Sequence, residues 1–333
     1  MASSMSTRAM GKSDVAASAV GLGTWAMGGW MWGGSDEDKS IAAIRASIDR
    51  GVTLIDTAPA YGLGKAEEIV GKAIAGRRQE VVIATKCGLV WHTDKGNHFF
   101  DEYGKRVHRH LGRESIKHEV EQSLRRLGTD YIDLYITHWQ DPTTPVAETM
   151  AGLLDLKQQG KIRAIGVSNV SPEDLKAYVG AGQVDAIQER YSMIDREIES
   201  TLLPICRQHG IATLSYSSLA LGLLSGKIGP ERSFTGDDQR KANPRFAAGN
   251  LERVAAFMAE IEPIATARRV TLAQVVIAWT IAQPGITYAL CGARDGDQAG
   301  ENAGAAAVEL GADELLRIDE AIARHLAPVA AAA

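Results

Sequence analysis

The chain has 333 residues, 45% of them hydrophobic and 34 of them glycine, enough to bury a core as one large domain or two ordinary ones. A net charge of −5 without a basic run excludes nucleic acid as the expected partner. Three scattered cysteines, Cys87, Cys206 and Cys291, lack metal or disulfide spacing, and no segment approaches a membrane span, so a cytoplasmic protein with no membrane partner is expected.

The opening "MASSMSTRAMGKSDVAAS" has no apolar core of signal-peptide length. Residues 1–14, and the alanine-rich residues 327–333, are expected to be flexible ends. "AVGLGTW" (19–25) is the first strand candidate. "VTLIDTA" (52–58) precedes the helical "GKAEEIVGKAIAG", and "VVIATKC" (81–87) precedes, after a long gap, "RESIKHEVEQSLRRLG". In that helix Ile116, Val120, Leu124 and Leu127 recur at helical spacing and form one apolar stripe. "IDLYITH" (132–138) is followed by "VAETMAGLLDLKQQGK", and "IRAIGVSN" (162–169) by "SPEDLKAYVGAG". "AIQER" (186–190), "IATLSYS" (211–217) and "YALCGA" (288–293) complete eight strand candidates.

Continuous apolar strands alternating with helices imply a parallel sheet covered by helices. Eight units in a chain of this length fit a closed (β/α)8 TIM barrel better than an open doubly wound sheet, and no strand leads into Gly-x-Gly-x-x-Gly. No linker divides the sequence, so residues 1–333 read as one domain. Two connections exceed a plain turn, 88–112 and 218–249, and both are expected to be long loops over a site. The first holds Trp91, His92, Phe99, Phe100 and Tyr103; the second mixes glycines with Lys227, Arg232, Arg240 and Arg245, which suits a phosphate-bearing ligand. His92, His98, His108 and His110 have no carboxylate or thiolate spacing beside them, so a solvated loop is expected and no metal.

Read in order, the strand ends are Asp56, Lys86, His138, Ser168 with Asn169, Gln188 and Tyr216. A barrel gathers its reactive groups at these carboxyl ends. One polar terminus is ordinary turn chemistry; six on one rim point to a site, with Tyr61 on the loop above Asp56. A lysine ammonium close to a tyrosine favours the phenolate, and an aspartate holds that lysine charged. A neutral histidine can orient a substrate oxygen. Together these groups make a proton donor aimed at a carbonyl, a site that needs a hydride source.

"DTAPAYG", the lysine of "IATK", the histidine of "DLYITHW" and "GVSN" resemble the aldo-keto reductases from about Val20 to Leu326. "GTWAMGGWMWGG" and "GARDGDQ" are similar to stretches of bacterial general-stress and sugar or glyceraldehyde reductases. The resemblance implies a catalytic tetrad of Asp56, Tyr61, Lys86 and His138, with Tyr61 the general acid, and NADP(H) as cofactor. It also implies that Ser168, Asn169 and Gln188 hold the nicotinamide, that Tyr216 stacks on it, and that Thr24, Trp25 and Asp56 border its ribose. Ser217, Leu219, Gly222 and Lys227 would wrap the pyrophosphate, and Gly292, Arg294, Gln298, Glu301 and Asn302 the adenosine end. A pocket for a small-molecule carbonyl substrate is expected from Trp25, Trp30, Trp32, Trp91 and Trp139, with Tyr61 and His138 at its floor. Gln140, Ser218 and Val170 depart from residues usual in the family at loop positions. Two alternatives remain beside the reductase: a Schiff-base aldolase barrel using Lys86, and a cofactor-sensing binding subunit.

Overall fold

Eight parallel strands pair edge to edge and close into a barrel in strict chain order. They are β1 (Val20–Gly23), β2 (Leu54–Asp56), β3 (Val82–Cys87), β4 (Ile132–Thr137), β5 (Ile162–Ser168), β6 (Ala186–Arg190), β7 (Ala212–Tyr216) and β8 (Tyr288–Gly292). Each coincides with one of the eight apolar runs of the sequence. Closure comes from β8 against β1, where Leu290 sits opposite Gly21 and Gly292 opposite Gly23. This computed structural model describes residues 5, 7–229 and 231–330.

Side chains of a strand alternate between faces, and that alternation decides what enters the barrel. Leu54, Ala84, Leu134, Ile136, Ala164, Ala186, Ala212, Leu214, Tyr288 and Leu290 share the interior cluster. Ile55, Ile83, Tyr135, Ile165, Val167 and Ile187, one residue out of phase, pack outward with the helices. Asp56, Lys86, His138, Ser168, Gln188 and Tyr216 fall in phase with the inward set, so each continues the interior up to the rim. Burying an aliphatic side chain contributes about 1.5–3 kcal/mol, and the apolar layers beneath fix the height at which the polar ends emerge.

The helices that cover the barrel are α1 (Glu37–Asp49), α2 (Lys65–Ile74), α3 (Arg113–Leu127), α4 (Val146–Gln158), α5 (Pro172–Ala181) and α6 (Leu203–His209). After β7 come α7 (Ala248–Arg268) and α8 (Leu272–Ala282), and after β8 come α9 (Gly296–Gly304), α10 (Ala312–His325) and the short α11 (Ala327–Ala330). The stripe foreseen for α3 is buried throughout. No single helix among the described residues is long and apolar enough to cross a membrane.

Three sequence expectations are corrected. The start of the chain is a hairpin, Thr7–Ala9 against Ala16–Ser18, in place of a frayed end. Met10, Val15 and Ala17 plug the bottom of the barrel, and the Arg8 guanidinium donates to the carbonyls of Ile281, Ile286 and Thr287 at 3.1, 3.2 and 2.9 Å. At the other end Val329 of α11 is buried, while residues 1–4, 6 and 331–333 of the two expected flexible ends lie outside the described residues. The 88–112 connection is a small antiparallel sheet, with Lys105–Arg109 between Leu89–Val90 and Asn97–Glu102. His108, expected to be solvated, is buried in it. No group of His, Cys, Asp and Glu among the described residues is arranged to hold a metal ion.

Candidate active site

The "DTAPAYG" stretch leaves β2 at Asp56, turns through Pro59 and enters α2, and Tyr61 sits within that turn. Lys86 Nζ lies 2.8 and 2.9 Å from the two Asp56 carboxylate oxygens, 2.8 Å from the Thr57 carbonyl and 3.2 Å from Tyr61 Oη. Three ammonium protons serve these four acceptors, so the amine is fully engaged. Only 1% of Lys86 and 4% of Asp56 are exposed, which makes this a buried ion pair whose geometry must offset its desolvation. Two further contacts fix Asp56: Gln188 Nε2 donates to Oδ1 at 2.7 Å, and Thr24 Oγ1 donates to its carbonyl at 2.9 Å. The His138 ring meets Tyr61 edge-on, with centroids 5.8 Å apart. All four residues of the expected tetrad are thus brought together.

Electrostatics assigns their protonation states. Burial, reinforced by the Asp56 charge, pushes Tyr61 well above its ordinary value. This reverses the expectation that Lys86 lowers it: the ammonium spends its field on Asp56, and desolvation of a phenolate dominates. Tyr61 therefore keeps its proton and serves as a donor. Burial, and then the Lys86 charge, hold His138 well below its ordinary value, so its imidazole is neutral at pH 7. Burial lowers Lys86 while Asp56 opposes that shift.

Beside the tetrad, polar side chains from β4 to β7 form one connected layer. Asn169 adopts a left-handed backbone (φ 53°), which Asn tolerates, and its amide donates to the His138 carbonyl at 2.9 Å and to Ser168 Oγ at 3.1 Å. Tyr216 donates its hydroxyl to Asn169 Oδ1 at 2.8 Å, and Ser168 Oγ donates to the Gln188 carbonyl at 2.6 Å. After β7 the chain makes a tight turn, with positive φ at Ser217, Ala220, Leu221 and Gly222, and Leu219 half-buried beneath it. Lys227 pairs with Glu301 across to α9, joining two residues both expected at the cofactor. Asn302 donates to the Gly292 carbonyl at 3.0 Å, and Gln298 accepts from the Arg294 backbone at 3.1 Å. The Asp295 side chain caps α9 by accepting from Gln298 N at 2.8 Å, so its charge is spent on the helix terminus.

The aromatic wall divides in two. Trp25 stacks on Tyr61 with centroids 6.2 Å apart, and Trp30 stacks on Phe100 of the 88–112 sheet at 5.0 Å. Trp91 and Trp139 pack with Ala60, Leu89, Val107 and Phe100, and Trp139 also meets Phe99. Trp32 meets Trp25 edge-on, with ring centroids 5.4 Å apart. Its ring lies beneath two guanidiniums, Arg240 at 5.2 Å and Arg294 at 5.5 Å, on the side of α9.

The Aldo/keto reductase family pattern matches residues 19–323. A relative, the NADH-specific methylglyoxal reductase of Escherichia coli, is 40% identical over 307 residues, 90% of this chain and 93% of that protein. The glycerol dehydrogenase AKR11B4 of Gluconobacter oxydans superposes with a TM-score of 0.87 at 39% identity, covering 96% of each chain. An aldo/keto reductase from Klebsiella pneumoniae, solved with NADP and acetate, gives 0.71 at 32% identity, covering 94% of this chain and 93% of that one. The chain belongs to the aldo/keto reductase family. It is an oxidoreductase built on the (β/α)8 barrel of that family.

Several contacts of this reductase site escaped the sequence. Asp237 accepts from the backbone of Met31 at 3.1 Å and of Gly33 at 2.9 Å, and Arg294 donates to the Trp32 carbonyl at 2.9 Å. These bonds strap the 25–34 loop to the long segment after β7 and to the β8–α9 turn. Asp237 stands 206 residues from Met31 along the chain, so no local sequence pattern announced the contact. Gln188 was read for a cofactor contact alone, yet its amide also positions Asp56.

Proposed function

We propose that this reductase converts a small carbonyl compound to its alcohol with NADPH, Tyr61 acting as general acid. The observation that carries the reading is the Tyr61 hydroxyl, held 3.2 Å from a lysine that is itself locked to Asp56. Bound NADPH would supply the hydride. The protein's part is orientation and proton delivery. Neutral His138, edge-on to Tyr61, donates a hydrogen bond to the carbonyl oxygen and directs it toward the phenol. Tyr61 then passes its proton to that oxygen as negative charge develops, and Lys86 stabilises the phenolate left behind.

The donor set of the mouth suits the cofactor. Ser168, Asn169 and Gln188 offer the hydroxyl and amides that match a carboxamide, with Tyr216 beside them. Arg240 and Arg294 both lie over Trp32, and burial followed by the Arg240 charge, opposed by Asp238, lowers Arg294 below its ordinary value. Like charges brought together in this way are relieved by a phosphate. The placement favours NADPH, in contrast to the NADH-specific relative. The Lys86 amine is engaged by Asp56, Thr57 and Tyr61, which weighs against the aldolase alternative. The three cysteines are buried and unbridged, in keeping with a reducing cytoplasm.

The test is turnover of a panel of short aldehydes, sugar aldehydes and ketones with NADPH and with NADH, followed by dihydronicotinamide absorbance. Reduction of at least one aldehyde, faster with NADPH at subsaturating cofactor, is expected. No turnover across the panel, or a borohydride-trapped adduct on Lys86, overturns the reading.

A further inference from the structure

Arg109 lies in the small 88–112 sheet with no carboxylate partner among the described residues. It ends the middle strand of the small sheet, opposite Leu89 on one side and Asn97 on the other. Alternation puts it on the face of Val107, which packs with Ala60, Leu89, Phe100 and Trp139. Its guanidinium carbon lies 5.1 Å from the centre of the Phe99 ring. Phe99 in turn lies 5.2 Å from Trp139, the residue that follows His138. These contacts join Arg109, through Phe99, to Trp139, one of the aromatic residues expected to line the substrate pocket.

Two neighbours on the same sheet are paired: Arg106 approaches Asp94 at 3.7 Å, and His98 meets Asp101 at 3.1 Å. Arg109 forms no ion pair or hydrogen bond through its side chain with any described residue, and its Nε is buried without a partner. A buried N–H left unmade is costly, and a cation over an aromatic ring keeps its fork free for a planar anion. One guanidinium balances one negative charge, which matches a carboxylate better than a doubly charged phosphate.

We propose that Arg109 sets substrate specificity by binding a carboxylate at the far end of the substrate from its carbonyl, an assignment that rests on the reductase reading of the Tyr61 site. The preferred substrate class is then a short aldehyde or ketone acid, entering with its carbonyl toward Tyr61 and its carboxylate toward Arg109 of the 88–112 sheet.

The experiment compares 4-oxobutanoate with butanal, of equal chain length, in the intact protein and in Arg109→Ala and Arg109→Lys. The ratio of kcat/KM for the acid over the neutral aldehyde should exceed about 10 in the native protein and fall roughly 10- to 100-fold in Arg109→Ala, chiefly through KM. Arg109→Lys should recover part of it. An unchanged ratio overturns the proposal, because a structural arginine affects both aldehydes alike. If neither aldehyde turns over, the reductase reading is what fails. Arg109 is then judged by quenching of tryptophan fluorescence with succinate and with 1,4-butanediol. Succinate binding lost in Arg109→Ala supports a carboxylate site; succinate binding retained, or no difference from the diol, refutes it.

Discussion

Gly28 lies against the backbone of Tyr61 so closely that a Cβ built on it falls 2.5 Å from the Tyr61 carbonyl carbon and 2.7 Å from its oxygen. The contact is reciprocal, since a Cβ on Gly62 falls 2.4 Å from the Gly28 oxygen, and Gly62 has a φ of 69°. The loop after β1 thereby sets the height of the catalytic turn after β2. Gly28→Ala should push Tyr61 away from Lys86 without altering any group that handles a proton. A displacement near 1 Å can lower turnover by about 10²-fold. Kinetics together with cofactor titration check this: kcat should fall while cofactor affinity is kept. Native kcat in the variant means the contact does not position Tyr61.

Removing the phenol tests the donor directly. Tyr61→Phe keeps the ring that stacks on Trp25 but leaves no proton to deliver. Turnover should drop roughly 10²- to 10⁴-fold with cofactor binding intact. Lys86→Met should cost at least as much, because it also leaves the Asp56 carboxylate buried without its cation. A Lys86→Met protein that turns over faster than Tyr61→Phe contradicts the proposed coupling.

Buried Glu119 makes stability depend on pH. Its carboxylate accepts from Gly88 N at 2.8 Å, behind the Lys86–Cys87 strand end, and burial pushes it up to about 8 from an ordinary 4.5. Between those values the folded protein holds a proton that the unfolded chain has released, so this contribution is full below 4.5 and lost as pH rises through about 8. Glu119→Gln keeps an oxygen for Gly88 and removes the titration. The melting temperature of Glu119→Gln minus that of the native protein should therefore be larger at pH 8 than at pH 5. A difference independent of pH removes Glu119 from the account.

The rim was legible in the sequence for a physical reason. Period-two alternation carries inward phase from Leu54 to Asp56, from Ala84 to Lys86 and from Ile136 to His138, so the strand ends point to the same mouth. What was hidden depends on contacts between distant segments. Gln188 reaches Asp56 across the barrel, and Met10 enters the barrel floor from a start rich in small and polar residues. The hairpin in 88–112 turns at Tyr103–Gly104, both with positive φ. The favoured residues for such a turn are Asn-Gly or Asp-Gly, and tyrosine in the first position disguised it. The Tyr61 proton affinity was misread because the sequence shows a nearby lysine but not the desolvation that outweighs it.

Arg294 offers the sharpest test of the cofactor reading. Its guanidinium donates to the Trp32 carbonyl at 2.9 Å and lies over the Trp32 ring, with Arg240 over the same ring. Asp238 neutralises Arg240, and Asp295 is committed to the α9 terminus, which leaves Arg294 without an ion pair of its own among the described residues. A 2′-phosphate on the adenosine ribose would meet that charge, whereas the plain hydroxyls of NADH would not. Arg294→Ala should weaken NADPH binding by roughly 10- to 100-fold, as for a charged hydrogen bond of about 1.5–3 kcal/mol, and change NADH binding far less. Because Arg294 also straps the tryptophan loop, a purely structural role predicts equal weakening of both cofactors. Titration of each cofactor by fluorescence separates the two: a selective loss identifies the residue that reads the phosphate, and a parallel loss assigns Arg294 to the strap alone.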